Sequence, residues 1–119
     1  MKATSASATD TVTTALPASV KRFLEAANRS DAIAAADSFT ADASVRDENH
    51  DYLGRGAIRA WVAGTSGKYR PAFTVIRSLV RGDDASLAVA VSGQFPGSPV
   101  TLDFVFRLRN GKISSLTIE

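Results

Sequence analysis

The chain predicts an α+β fold: a curved, mostly antiparallel sheet with three N-terminal helices packed on one face. Three observations predict it. Apolar residues recur at helical spacing early in the chain and in alternation after Pro71. The later strands are separated by Gly82-Asp83-Asp84 and Asn110-Gly111, which are hairpin turns rather than crossover linkers. Between the two regimes, residues 41–62 begin as a strand and end as an amphipathic helix, so they join the layers. Helices followed by a run of strands is the α+β order.

Residues 1–15 are rich in Ala, Ser and Thr without periodicity, and read as a flexible tail that could also extend the first helix. A single domain spans 16–119. Pro17 suits the first turn of a helix, where its missing N–H is not needed. Val20, Phe23, Leu24 and Ala27 then follow i, i+3, i+4, i+7 spacing, one apolar face. Asn28-Arg29-Ser30 ends this helix. Asp31 can cap a second, with Ala32, Ile33, Ala36 and Phe39 facing inward. The period then changes: Ala43, Val45 and Asp47 alternate with Ser44, Arg46 and Glu48. A polar loop follows, punctuated by Gly54 and Gly56. A third helix carries Ile58, Trp61 and Val62, with Gly64 and Gly67 expected to stop it.

Four strands follow in a meander. Residues 73–81 are β-branched and aromatic. Leu87, Val89, Val91 and Phe95 alternate with Ala88, Ala90, Ser92 and Gln94. Leu102, Phe104, Phe106 and Leu108 alternate with Asp103, Val105, Arg107 and Arg109. Residues 113–118 form the last strand. An irregularity is expected there, because Ile113 and Leu116 differ in parity yet both belong inside. A sheet bent around helices leaves a cavity at its wider end, the natural place for a ligand.

The bulk properties narrow the function classes. The chain has 119 residues, 45% hydrophobic and 22% charged, which is one ordinary globular domain. Such a chain buries roughly two thirds of its unfolded surface, enough for one core and one pocket. The net charge of +2, with no run of Lys or Arg longer than two, gives no phosphate-tracking stripe and no nucleic-acid partner. The absence of cysteine excludes disulfides and thiolate nucleophiles. No window is apolar enough to span a membrane, and the N-terminus lacks an apolar signal core, so a cytoplasmic location is expected. No serine stands in a nucleophile elbow and no glycine loop cradles phosphate.

Asp47 is the main chemical candidate. It shares parity with Val45 and therefore points into the cone. A buried carboxylate has its pKa raised, which suits it to acid/base work near neutral pH. It could instead be tied up by backbone N–H groups or Arg55. His50 and Tyr52, in the polar loop, are candidate partners. Asp47, Glu48, His50 and Asp51 fit no established metal-ligand spacing, so no metal is expected. Phe23, Phe39, Trp61, Phe95 and Phe104 are candidates to hold a small apolar or aromatic ligand, with core packing as the competing role of each.

The words VKRFLEAANRSD, DAIAAADSFTADASVRDE, GRGAIRAW and FPGSPVTLDFVFRL followed by NGKISSLTI resemble the nuclear transport factor 2-like superfamily. They look most like its SnoaL-like group, which includes ketosteroid isomerase-like and polyketide cyclase-like proteins. The resemblance covers about residues 17–119 and implies a cystatin-like cone fold. It implies cofactor-free chemistry of the cyclase, isomerase or dehydratase kind. It also implies a homodimer through the outer sheet face, whose mixed residues suit such a contact. A non-catalytic ligand-binding or dimerisation module is the alternative, because the fold hosts both. By this resemblance Asp47 falls at the isomerase's general base and Phe23 at its oxyanion-hole tyrosine, where it brings no O–H. An ungapped count places Asp103 at the second, protonated donor, and a one-residue difference places Leu102 there. Parity favours the latter, since pointing Asp103 inward would turn Leu102, Phe104, Phe106 and Leu108 to water, at about 1.5–3 kcal/mol each. Steroid isomerisation is therefore not expected.

Overall fold

The computed structural model describes residues 16–119; the expected tail at 1–15 lies outside the described residues. Helix α1, Ala18–Asn28, starts at Pro17, whose carbonyl accepts the Lys21 N–H at 3.0 Å. It buries Val20, Phe23, Leu24 and Ala27, the face its spacing predicts. Helix α2, Ala32–Asp37, is capped by Asp31, whose carboxylate accepts the Ala34 N–H at 3.0 Å. It is only one and a half turns long and buries Ala35 and Ala36. Ile33, expected to face inward, is 63% exposed. It lies about 200° around the helix from Ala35 and on the far flank of Ala36, at the edge of the buried face.

Phe39 was expected to close this helix; instead it opens strand β1, Phe39–Asp47, and is fully buried. The helix stops at Ser38, and Phe39 pairs with Ile113, so a tertiary ladder outweighs local helical spacing. The expected polar loop is also partly a strand. β2, His50–Leu53, pairs antiparallel with β1. The turn between them has positive φ at Glu48 (53°) and Asn49 (63°), the type I′ geometry that matches strand twist.

Helix α3, Arg55–Tyr69, runs through Gly64 and Gly67 rather than stopping there. Each glycine costs about 1 kcal/mol against alanine. Burial of Ile58 and Val62, with Trp61 packed on the core, outweighs that cost. The helix ends at Arg70, in the left-handed conformation.

Strands β3 (Ala72–Arg81), β4 (Asp84–Ser92), β5 (Val100–Arg109) and β6 (Lys112–Ile118) form the meander. The six-stranded sheet has the order β2-β1-β6-β5-β4-β3. Every neighbouring pair is antiparallel except β1 and β6, which run parallel and join the early hairpin to the meander. Two bulges keep apolar residues on the helix side. Ser114 is the extra residue in β6, which lets both Ile113 and Leu116 bury, as their parity requires. Ile76 is the extra residue in β3, so Val75 and Val80 face inward while Ile76 and Leu79 stay exposed. On β5, Phe104, Phe106 and Leu108 are buried and Asp103 is exposed, as strand parity predicts. Among the described residues, no helix is long and apolar enough to cross a membrane.

The 93–99 connection is clamped onto the end of α3. The Gln94 N–H donates to the Tyr69 carbonyl at 2.7 Å, and the Gly93 N–H donates to the Ser98 hydroxyl at 2.9 Å. A Cβ on Gly93 would stand 2.7 Å from the Tyr69 carbonyl oxygen and 3.0 Å from the Phe95 ring. Gly93→Ala must therefore displace backbone, at a cost of about 1–3 kcal/mol. Urea unfolding should show a lower midpoint for this variant; an unchanged midpoint would mean the clamp yields freely.

Candidate functional site

A cavity of about 950 Å³ opens between the end of α3 and the concave face of the sheet. Its wall is built from four sources. Helix α3 presents Trp61, Thr65 and Tyr69, one residue per turn along a single face. Strands β3, β4 and β5 present inward residues, including Phe73, Val91, Leu102 and Phe104. The clamped connection adds Phe95, Pro96 and Gly97. At one end, the β1–β2 turn brings Asp47, Glu48 and Asn49 to the wall.

Asp47 is half-buried, and its carboxylate accepts the Trp61 indole N–H at 3.1 Å. Burial pushes its pKa above the ordinary 3.8, because desolvation penalises the charged form. The indole hydrogen bond opposes this, the neighbouring Glu48 charge adds to it, and His50 opposes it. Arg55, a possible neutralising partner, does not reach Asp47: its guanidinium donates to the Phe39 carbonyl at 2.7 and 3.2 Å. The cation on the cavity wall, Arg46, binds both Asp51 oxygens at 2.9 and 3.1 Å.

The structure brings Asp47, Trp61, Phe95 and Phe104 together on the cavity wall. It does not bring Phe23, Phe39, His50 or Tyr52 there. Phe23 and Phe39 are fully buried beneath the wall and meet edge to face at 5.3 Å. Phe23 lies parallel to the Trp61 indole at 6.4 Å, so it supports the site from behind. His50 pairs with Asp47 across the hairpin, but its side chain is exposed and its ring Nδ1 lies 2.9 Å from the Glu48 carbonyl. Tyr52 packs on Trp61 at 5.9 Å. Tyr69 lies beyond Gly67, where the sequence places the end of the helix, and Phe73 reaches the cavity from β3. Helical spacing from Trp61 through Thr65 to Tyr69 was the signal that could have found Tyr69. Among the described residues, no group of three His, Cys, Asp or Glu side chains is placed to hold a metal ion.

The comparisons agree with this architecture. The SnoaL-like domain family matches residues 20–116, and the chain belongs to that family. Among solved structures it is similar to a candidate polyketide cyclase of Sinorhizobium meliloti, with 35% identity and a TM-score of 0.86 over 89% of this chain and 97% of that one. It also resembles a protein of Catenulispora acidiphila with a ketosteroid isomerase-like fold, solved with trimethylamine (22% identity, TM-score 0.77, 87% and 85% covered). A cystatin-fold protein of Novosphingobium aromaticivorans is similar at 14% identity and TM-score 0.72, with 85% and 94% covered. At these two lower identities the likeness shows the fold alone. No curated protein sequence matches the chain significantly.

The raised pKa of Asp47 has a stability consequence. The folded state holds this proton at pH values where the unfolded chain, near 3.8, has lost it. The contribution is therefore full below 3.8 and is lost as pH rises through the higher folded value. Asn cannot ionise, and its amide oxygen can still accept the indole N–H. The stability of Asp47→Asn relative to wild type should therefore rise between about pH 3 and pH 7 in urea unfolding. A pH-independent difference would contradict the burial effect. Trp61→Phe removes the opposing hydrogen bond and should raise the Asp47 pKa further, read by carboxyl NMR titration.

Proposed function

We propose that this SnoaL-like chain is a small-molecule pocket protein whose Asp47 acts as a cofactor-free general acid/base on an apolar ligand. The observation that carries the reading is the half-buried Asp47 carboxylate, held by an indole N–H on the wall of an aromatic cavity. A carboxylate so placed is more basic than one in water, and contributes typically 10²–10⁴-fold to proton transfer. In the cyclase form of this chemistry, Asp47 removes a proton from a carbon next to a carbonyl. The carbanion attacks a second carbonyl to close a ring, and the resulting alkoxide takes the proton back. Charge and protons balance without a metal or cofactor. The 35% identity to the Sinorhizobium candidate cyclase favours this form over the isomerase or dehydratase forms. Steroid isomerisation is disfavoured, since Phe23 carries no O–H and Asp103 faces outward.

The test is deuterium exchange at the α-carbon of 2-tetralone in D₂O, followed by proton NMR. Wild type should accelerate exchange and Asp47→Asn should lose at least about a hundredfold of that acceleration. Equal exchange by the two proteins, with tetralone still quenching Trp61 fluorescence, would leave a non-catalytic ligand-binding module.

The outer sheet face supports a second part of the proposal, a homodimer. Leu79 and Val105 are exposed there beside Arg77 and Asp103, around a concavity of about 370 Å³. A two-fold pairing of such faces covers the apolar residues and can set Arg77 against Asp103. Sedimentation should give a dimer for wild type and a monomer for Leu79→Glu/Val105→Glu; a monomeric wild type would remove this part.

A further inference from the structure

We propose that the cavity selects a cationic amine, a ligand with an ammonium group beside an apolar or aromatic body. The inference rests on reading the cavity as a ligand pocket and adds the charge of the occupant.

The first observation is the wall itself. Trp61, Tyr69, Phe73, Phe95 and Phe104 all contribute to it. Aromatic faces attract ammonium groups, most strongly where water is displaced and where the cation is weakly hydrated. Tyr69 already takes one cation: the Lys68 ammonium lies 5.0 Å from its ring centroid.

The second is the distribution of charge. The parallel register pairs Arg46 with Thr117, which brings the end of β1 alongside the end of β6. Asp47 and Glu48 stand together at this end of the cavity, whereas Glu119 pairs with Asp103 and also borders the outer concavity. Among the described residues, the carboxylates in ion pairs are Asp31, Asp42, Asp51 and Asp84, and none of them lines this cavity. Arg46, the cation on the wall, is held by Asp51 on the neighbouring strand. Among the described residues, the carboxylates at this end therefore have no cationic partner. A neutral occupant would strip water from them without return, and an anion would be repelled. An ammonium group offsets their desolvation and meets the aromatic faces at the same time.

The probes are benzyltrimethylammonium, whose charge does not depend on pH, and its neutral carbon isostere neopentylbenzene. Binding is read by quenching of Trp61, the only tryptophan in the chain, at low salt. We expect the cation to bind at least about tenfold more tightly than the isostere. Glu48→Gln should shrink that ratio several-fold, by weakening binding of the cation and not of neopentylbenzene. Equal binding of the two probes to wild type would overturn the cation preference and leave the apolar pocket standing. Failure of both probes to bind would overturn the pocket reading as well. A ratio that survives the Glu48 substitution would overturn the role given to the acidic end of the cavity.

Discussion

The Trp61 indole ties the hydrophobic core to the candidate site. Its ring lies parallel to Phe23, which in turn meets Phe39 and Phe106 edge to face. Its N–H ends on Asp47. The carboxylate is thereby positioned by side chains contributed by α1, α3, β1 and β5, the two layers of the fold. Aromatic pairs of this kind add about 0.5–1.5 kcal/mol each beyond the area they bury. The stacking geometry also fixes where the indole N–H points. A bare apolar wall would leave the carboxylate without a partner, and an arginine or lysine built into the fold beside it would hold it ionised and weakly basic before any ligand enters. A neutral donor on a rigid ring does neither.

The layers were legible because each is written in a periodicity the chain does not break. Alternation on β4 and β5 and helical spacing on α1 are unambiguous, and Asp47 was found from its parity with Val45. The misreadings occurred where tertiary contacts overrule local preference. Phe39 has acceptable helical spacing, but its pairing with Ile113 makes it a strand residue. Gly64 and Gly67 are helix-stop residues by propensity, yet side chains packed on the sheet carry α3 past them, and Tyr69 reaches the cavity as a result. His50 and Tyr52 are near Asp47 in sequence and across the hairpin. Both share a face with their cross-strand partners Asp47 and Val45, but the His50 ring lies against the Glu48 carbonyl and Trp61 occupies the space beside Tyr52.

The electrostatics follow a simple division. Four surface carboxylates are matched: Asp31 to Arg29, Asp42 to Arg109, Asp51 to Arg46 and Asp84 to Arg107. Asp42 shows the effect of such matching, since the Arg109 hydrogen bond holds its pKa below 3.8. Asp47 moves the other way under burial. Two aspartates five residues apart on one strand are thus pulled in opposite directions by their surroundings, and only the buried one is made more basic.

The parallel pairing of β1 and β6 also bears on how the chain folds. The strand latest in the sequence lies between β1 and β5, near the middle of the sheet rather than at its edge. Until it is in place, the early hairpin and the meander share no ladder, and both β1 and β5 present open edges. The loop that must close to join them spans most of the domain, and such non-local contacts slow folding. Insertion of β6 is therefore the natural candidate for the rate-limiting event. An arrested chain with those two edges bare would be the species most prone to aggregate.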